Sequence, residues 1–365
     1  MYWYISRMIY LDYNATAPLR PDIAKAMALD SGSPLNPSSV HAMGRKAKAL
    51  MGQAKQDILQ TLNASKCEAI FCTTGTEANQ LAINSHKLIT SATEHVAILD
   101  NANNPTILPV NQHGQVGADV LEKTISDLKP PFLVSVILAN NETGVINDIK
   151  SLANITRKKG GLFHTDAVQA IGKIPVDFDN LGVDMLTLTT HKIGGPVGAS
   201  VLIYKRSIEL NAVTKGGAQQ NRKRAGTENI PAIIGMAYAL KNIDLTHMAQ
   251  LTKWRDEFEA KILKASPNTV IFGKNTKRLP NTSNLTMPNI NNQTQLMDLD
   301  MANICVSTGS ACSSGKVGGS HVLKAMGVDD DIAKTVIRIS AGWATKYEDF
   351  TNLTQQWLAL YKRLV

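Results

Sequence analysis

Cysteine is scarce in this sequence, which contains four in 365 residues: Cys67, Cys72, Cys305 and Cys312. So few cysteines, at such irregular spacing, form neither a disulfide framework nor a zinc site of paired CxxC motifs. We therefore expect four reduced thiols and no resident metal.

Long apolar runs are also missing. No stretch approaches the roughly 20 apolar residues that span a bilayer, and the N-terminus lacks the pattern of a signal peptide. With 44% hydrophobic and 19% charged residues, the composition is that of a folded globular protein. These features predict a cytoplasmic protein without membrane contact, whose natural start is either Met1 or Met8.

The net charge of +8 comes from scattered basic residues. The basic clusters, at 157–159 and 222–224, are short, so the sequence lacks the basic stripe that favours direct binding of nucleic acid. The charge instead favours anionic ligands or an acidic partner protein.

Apolar runs of strand length alternate with helical patterns up to about Ile243. Strands are predicted at Cys67–Thr74, Phe132–Ala139, Gly161–Thr165, Met185–Thr190 and Ala199–Tyr204, and helices at Glu77–Leu88 and Ile149–Lys159. Buried strands that alternate with helices predict an α/β sheet covered on both faces, with ligands at the carboxyl ends of its strands. Beyond Ile243, an amphipathic helix and shorter strands predict a second, smaller domain.

Two residues at strand ends can carry chemistry. Lys192 follows a strand and precedes a glycine-rich turn; a desolvated lysine can form a Schiff base there, although an ordinary surface lysine fits the same pattern. Asp166 ends another strand at the same edge. Its carboxylate suits either a pyridinium nitrogen or a helix N-cap.

Two further segments stand out. Residues 73–77, Thr-Thr-Gly-Thr-Glu, join a strand end to a helix start, which suits a phosphate cradle or a simple capping box. Cys312 lies in a run of small polar residues, 307–315, which predicts an exposed loop. Free cysteines are normally buried, as the apolar runs around Cys72 and Cys305 predict for those two. A thiol on an exposed loop therefore indicates a reactive group.

Several motifs in one order carry a resemblance to a known family. They are Tyr10–Pro18, Asn36–Ser39 with His41, Thr93–His95, Asn140–Gly144, His164–Gln169, Thr190–Lys192, Arg224–Asn229, Gly309–Gly315 with Ser320–Leu323, and Arg338–Ser340. On these motifs, from Tyr10 to about Glu348, the chain resembles the cysteine desulfurases of the class V aminotransferase family.

The resemblance implies a fold and a division into domains. The fold would be α/β, that of PLP-dependent (pyridoxal phosphate) transferases of fold type I, with a mostly parallel seven-stranded sheet between helices and a smaller α+β domain. The large PLP-binding domain would span residues 12–245. The small domain would comprise residues 1–11 and 246–365 and carry the Cys312 loop.

The resemblance also implies roles for matching residues. Lys192 would bind PLP covalently, Asp166 would pair with the pyridine nitrogen, and His95 would stack on the ring and assist proton transfer. Asn141 and Gln169 would bond to the phenolic oxygen of PLP or to the substrate. The phosphate of PLP would be bound by Gly75, Thr76, Thr189, His191 and, from a neighbouring subunit, Thr227. Arg338 would clamp the substrate carboxylate, and Cys312 would receive the sulfur.

The implied activity is that of a cysteine desulfurase, which converts L-cysteine to L-alanine and holds the sulfur as a persulfide on Cys312. An acceptor protein would take the sulfur for iron–sulfur cluster assembly or tRNA thiolation, and Cys312 could ligate a cluster transiently. The role of Thr227 implies a homodimer. The alternatives are a selenocysteine lyase or another class V enzyme, which Cys312 disfavours, and a non-catalytic binding partner, which the presence of Lys192, Asp166 and Arg338 disfavours.

The chain departs from the family pattern at four places, one of which is a looser version of the glycine-rich stretch, at 216–220. At the others, the phosphate turn reads Thr-Thr-Gly-Thr instead of a Gly-Ala-Thr run, Thr189 replaces a serine, and Gly319 replaces a proline. The changes in the phosphate turn and at Thr189 keep hydroxyl or backbone donors in place, so PLP binding is still expected. The change at Gly319 is expected to affect which acceptor is served.

Overall fold

A computed structural model describes residues 8–84, 86–308 and 319–365 of the chain. Its strands are β1 Ile9–Tyr10, β2 Cys67–Cys72, β3 Leu88–Ser91, β4 Thr106–Leu108, β5 Leu133–Ser135, β6 Leu162–Asp166, β7 Met185–Thr189, β8 Ser200–Lys205, β9 Thr282–Thr286, β10 Ile304–Cys305 and β11 Val336–Ser340. Its α-helices are α1 Pro21–Ser31, α2 Ala42–Thr61, α3 Gly75–Ile83, α4 Val96–Leu99, α5 Ala118–Thr124, α6 Ile149–Lys158, α7 Phe178–Leu181, α8 Ile230–Lys241, α9 Leu245–Ala265, α10 Asn292–Met301, α11 His321–Ala325, α12 Asp330–Ala333 and α13 Tyr347–Leu364.

A seven-stranded sheet with the order β2-β8-β7-β6-β5-β3-β4 forms the centre of the molecule. Its pairings are parallel except those of β8, which is antiparallel to both β2 and β7. Because β2, β6 and β7 run in the same direction, their carboxyl ends meet at one edge of the sheet. The predicted mostly parallel sheet of seven strands is therefore confirmed.

Both faces of this sheet are covered by helices. In β2, Ala69 and Phe71 pack into a core cluster that includes Ile58 of α2. The alternate residue Ile70 packs into a second cluster with Leu81 of α3. Since side chains alternate between the faces of a strand, these two clusters lie on opposite sides, which is why the strands read as continuous apolar runs.

A separate core forms outside the sheet. Phe258 of α9 and Trp357 of α13 are buried there, together with Leu11 and with Ile337 of β11. Here β11 pairs antiparallel with β9, and β1 pairs parallel with β10. The existence of this second core supports a division of the chain near residue 245, which remains a prediction.

Most predicted elements form with small shifts at their ends. The helix expected at Glu77–Leu88 begins two residues earlier, because Thr74 caps it, and ends at Ile83. The strand expected over Phe132–Ala139 pairs as a strand only over Leu133–Ser135. In the described part of the chain, no helix combines the length and apolar character needed to cross a membrane.

Candidate active site

A cavity of about 250 Å³ lies where the carboxyl ends of β2, β6 and β7 meet. Among its lining residues are nine that the sequence predicted: Gly75, Thr76, His95, Asn141, Asp166, Gln169, Thr189, His191 and Lys192. Open α/β sheets bind ligands at this edge, so the direction of the strands explains why residues distant in sequence converge.

The turn after β2 gives the cavity a rim of hydrogen-bond donors. Thr74 caps α3, and its side chain accepts from the N–H of Glu77 at 3.1 Å. The carboxylate of Glu77 in turn accepts from the N–H of Thr73 at 2.6 Å. Thr74 is therefore an N-cap, but Glu77 bonds to the N–H of Thr73 and not to that of Thr74, so the arrangement is not a strict capping box. The capped helix end is compatible with anion binding, since its N–H groups border the cavity.

Asp166 ends β6 inside the cavity and is 4% exposed. One carboxylate oxygen accepts from the N–H of Val168 at 2.8 Å, and the other accepts from Nδ2 of Asn79 at 2.7 Å. Residues 168–173 form turns instead of a helix, so Asp166 caps no helix. The two bonds fix the carboxylate and leave it lone pairs for a further cationic donor.

His95 begins α4 at the edge of the cavity. Its Nδ1 accepts the N–H of Ala97 at 3.1 Å, so the neutral ring has its proton on Nε2. Burial lowers the pKa of His95, and Lys192 and His321 lower it further against the opposing charge of Asp166. The imidazole is thus neutral near pH 7 and can act as an N–H donor.

Lys192 stands on a tight turn after β7. The N–H groups of Ile193 and Gly195 both bond to the carbonyl oxygen of Thr190, at 2.9 and 2.8 Å. Gly194 has a φ of +85°, in the left-handed region that glycine adopts without steric cost. The turn holds the half-buried Lys192 at the edge of the sheet.

Lys192 also lies between two cavities. Besides the 250 Å³ cavity, it lines a second one of about 330 Å³. This second cavity is also lined by Lys173, which lies in the turns after β6, and by Trp343, which follows β11. Lys192 therefore borders open space on two sides.

Thr189 and His191 flank the end of β7. The hydroxyl of Thr189 donates to the carbonyl oxygen of Ala199 at 3.1 Å, so its remaining capacity in this arrangement is as an acceptor. Burial, with the charges of Lys192 and Lys173, lowers the pKa of His191 to about 4. His191 is neutral at neutral pH and would contact a phosphate as an N–H donor.

Arg338 projects from β11 and is 2% exposed. Its Nη2 donates to the carboxylate of Asp12 at 2.7 Å, and its Nη1 donates to the carbonyl oxygen of Asn141 at 3.2 Å. Its Nε is buried without a hydrogen-bond partner among the described residues. Arg338 does not line the 250 Å³ cavity, but Asn141, to whose carbonyl oxygen it donates, does.

Besides Arg338, two further predicted residues are not placed at this cavity. Thr227 is exposed and is not among the lining residues, and Cys312 lies outside the described residues. Of the other cysteines, Cys67 and Cys72 are buried, whereas Cys305, which was expected to be buried, is half-buried because its short strand β10 lies at an edge.

Comparison with known proteins identifies the family. Residues 9–353 match the family described as aminotransferase class-V. The chain belongs to that family. A cysteine desulfurase IscS of Dictyoglomus turgidum is 37% identical, over 94% of this chain and 92% of that protein. One of Methanosarcina thermophila is 35% identical, over 96% and 91%. The solved structure of a NifS-like protein from Rickettsia africae shares 35% identity, with a TM-score of 0.91 over 97% of this chain and 99% of that one.

Members of this family are PLP-dependent, and the residues of the cavity fit PLP. The donors of the turn at 74–76 suit its phosphate, the carboxylate of Asp166 suits its pyridinium nitrogen, and the amine of Lys192 suits its aldehyde. When bound, PLP withdraws electrons from an amino acid and stabilises negative charge on its carbon. Asp166 would keep the ring nitrogen protonated, and neutral His95 would supply an N–H donor beside it.

Proposed function

We propose that the protein releases the sulfur of L-cysteine, forms L-alanine and holds the sulfur as a persulfide on Cys312. The observation that carries this proposal is the convergence of Lys192, Asp166 and His95 at one cavity, in a chain that has Cys312 within a Ser/Gly segment. The relatives named cysteine desulfurase support the same activity.

Each residue has a defined task in this reaction. Lys192 anchors the cofactor, Asp166 keeps its nitrogen protonated, and Arg338 binds the substrate carboxylate through charge-assisted hydrogen bonds. With its carboxylate held by Arg338, the substrate would be oriented with its amino group toward Lys192. The neutral imidazole of His95 donates its Nε2 proton to the reacting centre and can recover one from solvent.

The sulfur step balances without an external oxidant. The thiolate sulfur of Cys312 forms a bond to the sulfur of cysteine, and the bond between that sulfur and Cβ breaks. The electron pair of the broken bond ends in the new C–H bond of the alanine methyl group once a proton arrives. Cysteine and one thiol thus give alanine and one persulfide.

The other three cysteines are poor nucleophiles in the folded chain. Burial raises the pKa of Cys67 to about 11 and raises the pKa of Cys72 and Cys305 as well. The reactive form of cysteine is the thiolate, so these thiols are largely unreactive near pH 7. This supports Cys312 as the acceptor.

Substitution of the proposed sulfur acceptor tests the function. Cys312→Ser should still bind PLP and L-cysteine but form neither persulfide nor alanine, because a hydroxyl does not replace a soft thiolate. Cys305→Ser is the matched control and should react like the parent. The measurements are mass spectrometry for one added sulfur on the Cys312 peptide, and quantified alanine. Alanine release by Cys312→Ser at the parent rate, with free elemental sulfur (or sulfide when a thiol reductant is added) as the second product, would show a lyase instead, and formation of a keto acid from L-cysteine in place of alanine would show an aminotransferase.

We further propose that the protein is a cytoplasmic homodimer with a separate acceptor protein. The exposed position of Thr227, away from the cavity of its own chain, supports its reaching a partner subunit. The IscS names of relatives support an acceptor in iron–sulfur cluster assembly, with tRNA thiolation as the other candidate pathway. Light scattering tests the dimer, and transfer of radiolabelled sulfur from the loaded enzyme identifies the acceptor. A fully active monomer would remove the role of Thr227.

A further inference from the structure

Lys173 is a buried lysine beside the cavity, only 4% exposed. Its Nζ donates at 2.7 Å to Oε1 of Gln169 and at 2.7 Å to Oδ1 of Asn14. Burial, followed by the positive charges of Lys192 and Arg338, lowers the pKa of Lys173 well below its usual value. An amine buried among positive groups is unfavourable for folding, so stability does not explain its position.

The contacts of Lys173 fix the orientation of one cavity residue. The lysine donates, so the atom of Gln169 that faces it is the amide oxygen. The amide nitrogen of Gln169 donates to the backbone carbonyl oxygen of Asn14 at 2.9 Å, and a carbonyl only accepts. The carbonyl of Asn14 rejects the flipped amide whether the lysine is charged or neutral, and the charged lysine rejects it as well, because an ammonium group has no lone pair with which to accept.

Asn14 is fixed by the same amine. Its Oδ1 accepts from Lys173 and from Nδ2 of Asn281 at 3.3 Å, while its own Nδ2 donates to the carbonyl oxygen of Asn141 at 3.1 Å. Asn14 is 1% exposed. The orientation of Gln169 therefore depends on Lys173 directly and also through Asn14.

The oriented amide faces a ligand. Gln169 is 1% exposed and lines the 250 Å³ cavity. One N–H bond of its amide nitrogen is used by Asn14, and the described residues offer no second acceptor for the other. A ligand in the cavity therefore meets an N–H donor at this point, and a flipped amide would present a carbonyl oxygen instead.

We propose that Lys173 is a positioning residue that makes Gln169 present an N–H bond, and not a carbonyl oxygen, to the ring oxygen of PLP. The inference rests on the proposed PLP site and goes beyond it, because Lys173 acts through Gln169 without touching the cofactor. Donation to the ring oxygen stabilises negative charge there and so favours the cofactor form with fewer protons.

The test is a pH titration of the visible absorbance of the holoenzyme. In Lys173→Met, the midpoint should rise by about one pH unit, a tenfold change in proton affinity. Lys173→Gln keeps an N–H donor and should give a smaller rise, and it provides a second variant if the Met variant does not fold. Lys150→Met is the matched control, since Lys150 also donates to an amide oxygen, that of Asn180 at 2.9 Å, but on the surface. It should leave the midpoint unchanged.

A double-mutant cycle separates positioning from a direct effect of charge. If Lys173 acts through Gln169, then Lys173→Met should cause no further shift in a Gln169→Leu background. A shift of equal size in both backgrounds would show that the amine acts on the cofactor by its charge, which would overturn the proposal. So would an unchanged midpoint in the single variants.

The parent protein distinguishes this failure from that of the proposed function. If the parent binds PLP and forms alanine while the Lys173 variants titrate like it, only the positioning role fails. If the parent binds no PLP, the proposed site fails.

Discussion

Arg338 and Asp12 form a buried ion pair between β11 and the N-terminal segment, with Nη2 of the arginine 2.7 Å from the carboxylate. The arginine side chain is 3% exposed and the aspartate side chain 20%. A buried charge without its partner costs about 3 to 5 kcal/mol, so Asp12 holds the guanidinium in place before any substrate arrives. In the proposed function, the buried Nε, which has no hydrogen-bond partner among the described residues, would donate to the substrate carboxylate.

Replacement of this arginine by lysine should weaken substrate binding. Arg338→Lys is expected to raise KM for L-cysteine about 10- to 100-fold, because a lost hydrogen bond to a charged group costs about 1.5–3 kcal/mol and lysine lacks the planar fork. The cofactor spectrum should not change. Arg363→Lys, which alters an exposed pair with Asp298, is the control and should keep the parent KM. An unchanged KM in Arg338→Lys would mean that another group binds the carboxylate.

Lys192 should be the lysine that holds PLP covalently. Borohydride reduction of the holoenzyme followed by peptide mapping should place the cofactor label on the peptide that contains Lys192, and Lys192→Ala should take up no label. Lys173 is the internal control, since it lines the same second cavity. A label on Lys173 would contradict the assignment and would also exclude its positioning role.

The sequence was sufficient to predict the edge of the sheet at which the site forms. Buried strands read as apolar runs, and the polar residues that follow β6 and β7 stand out against them, so Asp166 and Lys192 could be paired in advance. Prediction of the end of α3 was less accurate, because Asn84 leaves the helix with an extended backbone that the apolar spacing does not reveal.

The supporting hydrogen bonds were beyond sequence reasoning. Asn79 bonds to Asp166 across 87 residues, and Asn14 bonds to Lys173 across 159. Such contacts depend on how helices and turns pack onto the sheet, which periodicity does not specify. Asp12 and Asn14 had a signal, since both lie within the motif Tyr10–Pro18, but the motif does not specify their partners.

Arg224 should set the affinity for PLP through the phosphate turn. Its Nε donates to Glu77 at 2.9 Å and its Nη2 donates to the hydroxyl of Thr73 at 2.6 Å. Burial acts to raise the pKa of Glu77, but the hydrogen bond and charge of Arg224 outweigh it and lower that pKa. Arg224→Ala would leave the carboxylate without its partner, so we expect a loss of about 1–3 kcal/mol in the free energy of unfolding and weaker binding of PLP.

Fluorescence titration with PLP and urea unfolding of the apoprotein measure these two effects. Arg206→Ala is the matched control, because Arg206 pairs with Glu68 at 3.4 Å on the surface, where its side chain is 65% exposed. Exposed pairs contribute about 0–1 kcal/mol, so this variant should resemble the parent. Equal losses in the two variants would show that Arg224 has no special connection to the turn.

Glu142 should make the stability of the protein depend on pH. Its carboxylate is 3% exposed and accepts a hydrogen bond from Ser320. Burial raises the pKa of Glu142 from 4.5 to about 7, against the opposing effects of Ser320 and Arg338. A group whose pKa is raised by folding contributes stability that is fully present below pH 4.5 and is lost as the pH rises through 7.

Glu142→Gln removes the group that titrates, while keeping an oxygen that can accept a hydrogen bond from Ser320. The parent should therefore lose stability relative to Glu142→Gln between pH 5 and pH 8, by about 3 kcal/mol at most, in urea unfolding measured at each pH. Glu122→Gln, which changes an exposed carboxylate, should follow the parent throughout. Ser320→Ala should move the loss to higher pH, because it removes the bond that stabilises the ionised form. If the parent and Glu142→Gln show the same pH dependence, the carboxylate of Glu142 has a similar pKa in the folded and unfolded chain, and its burial has no effect on stability.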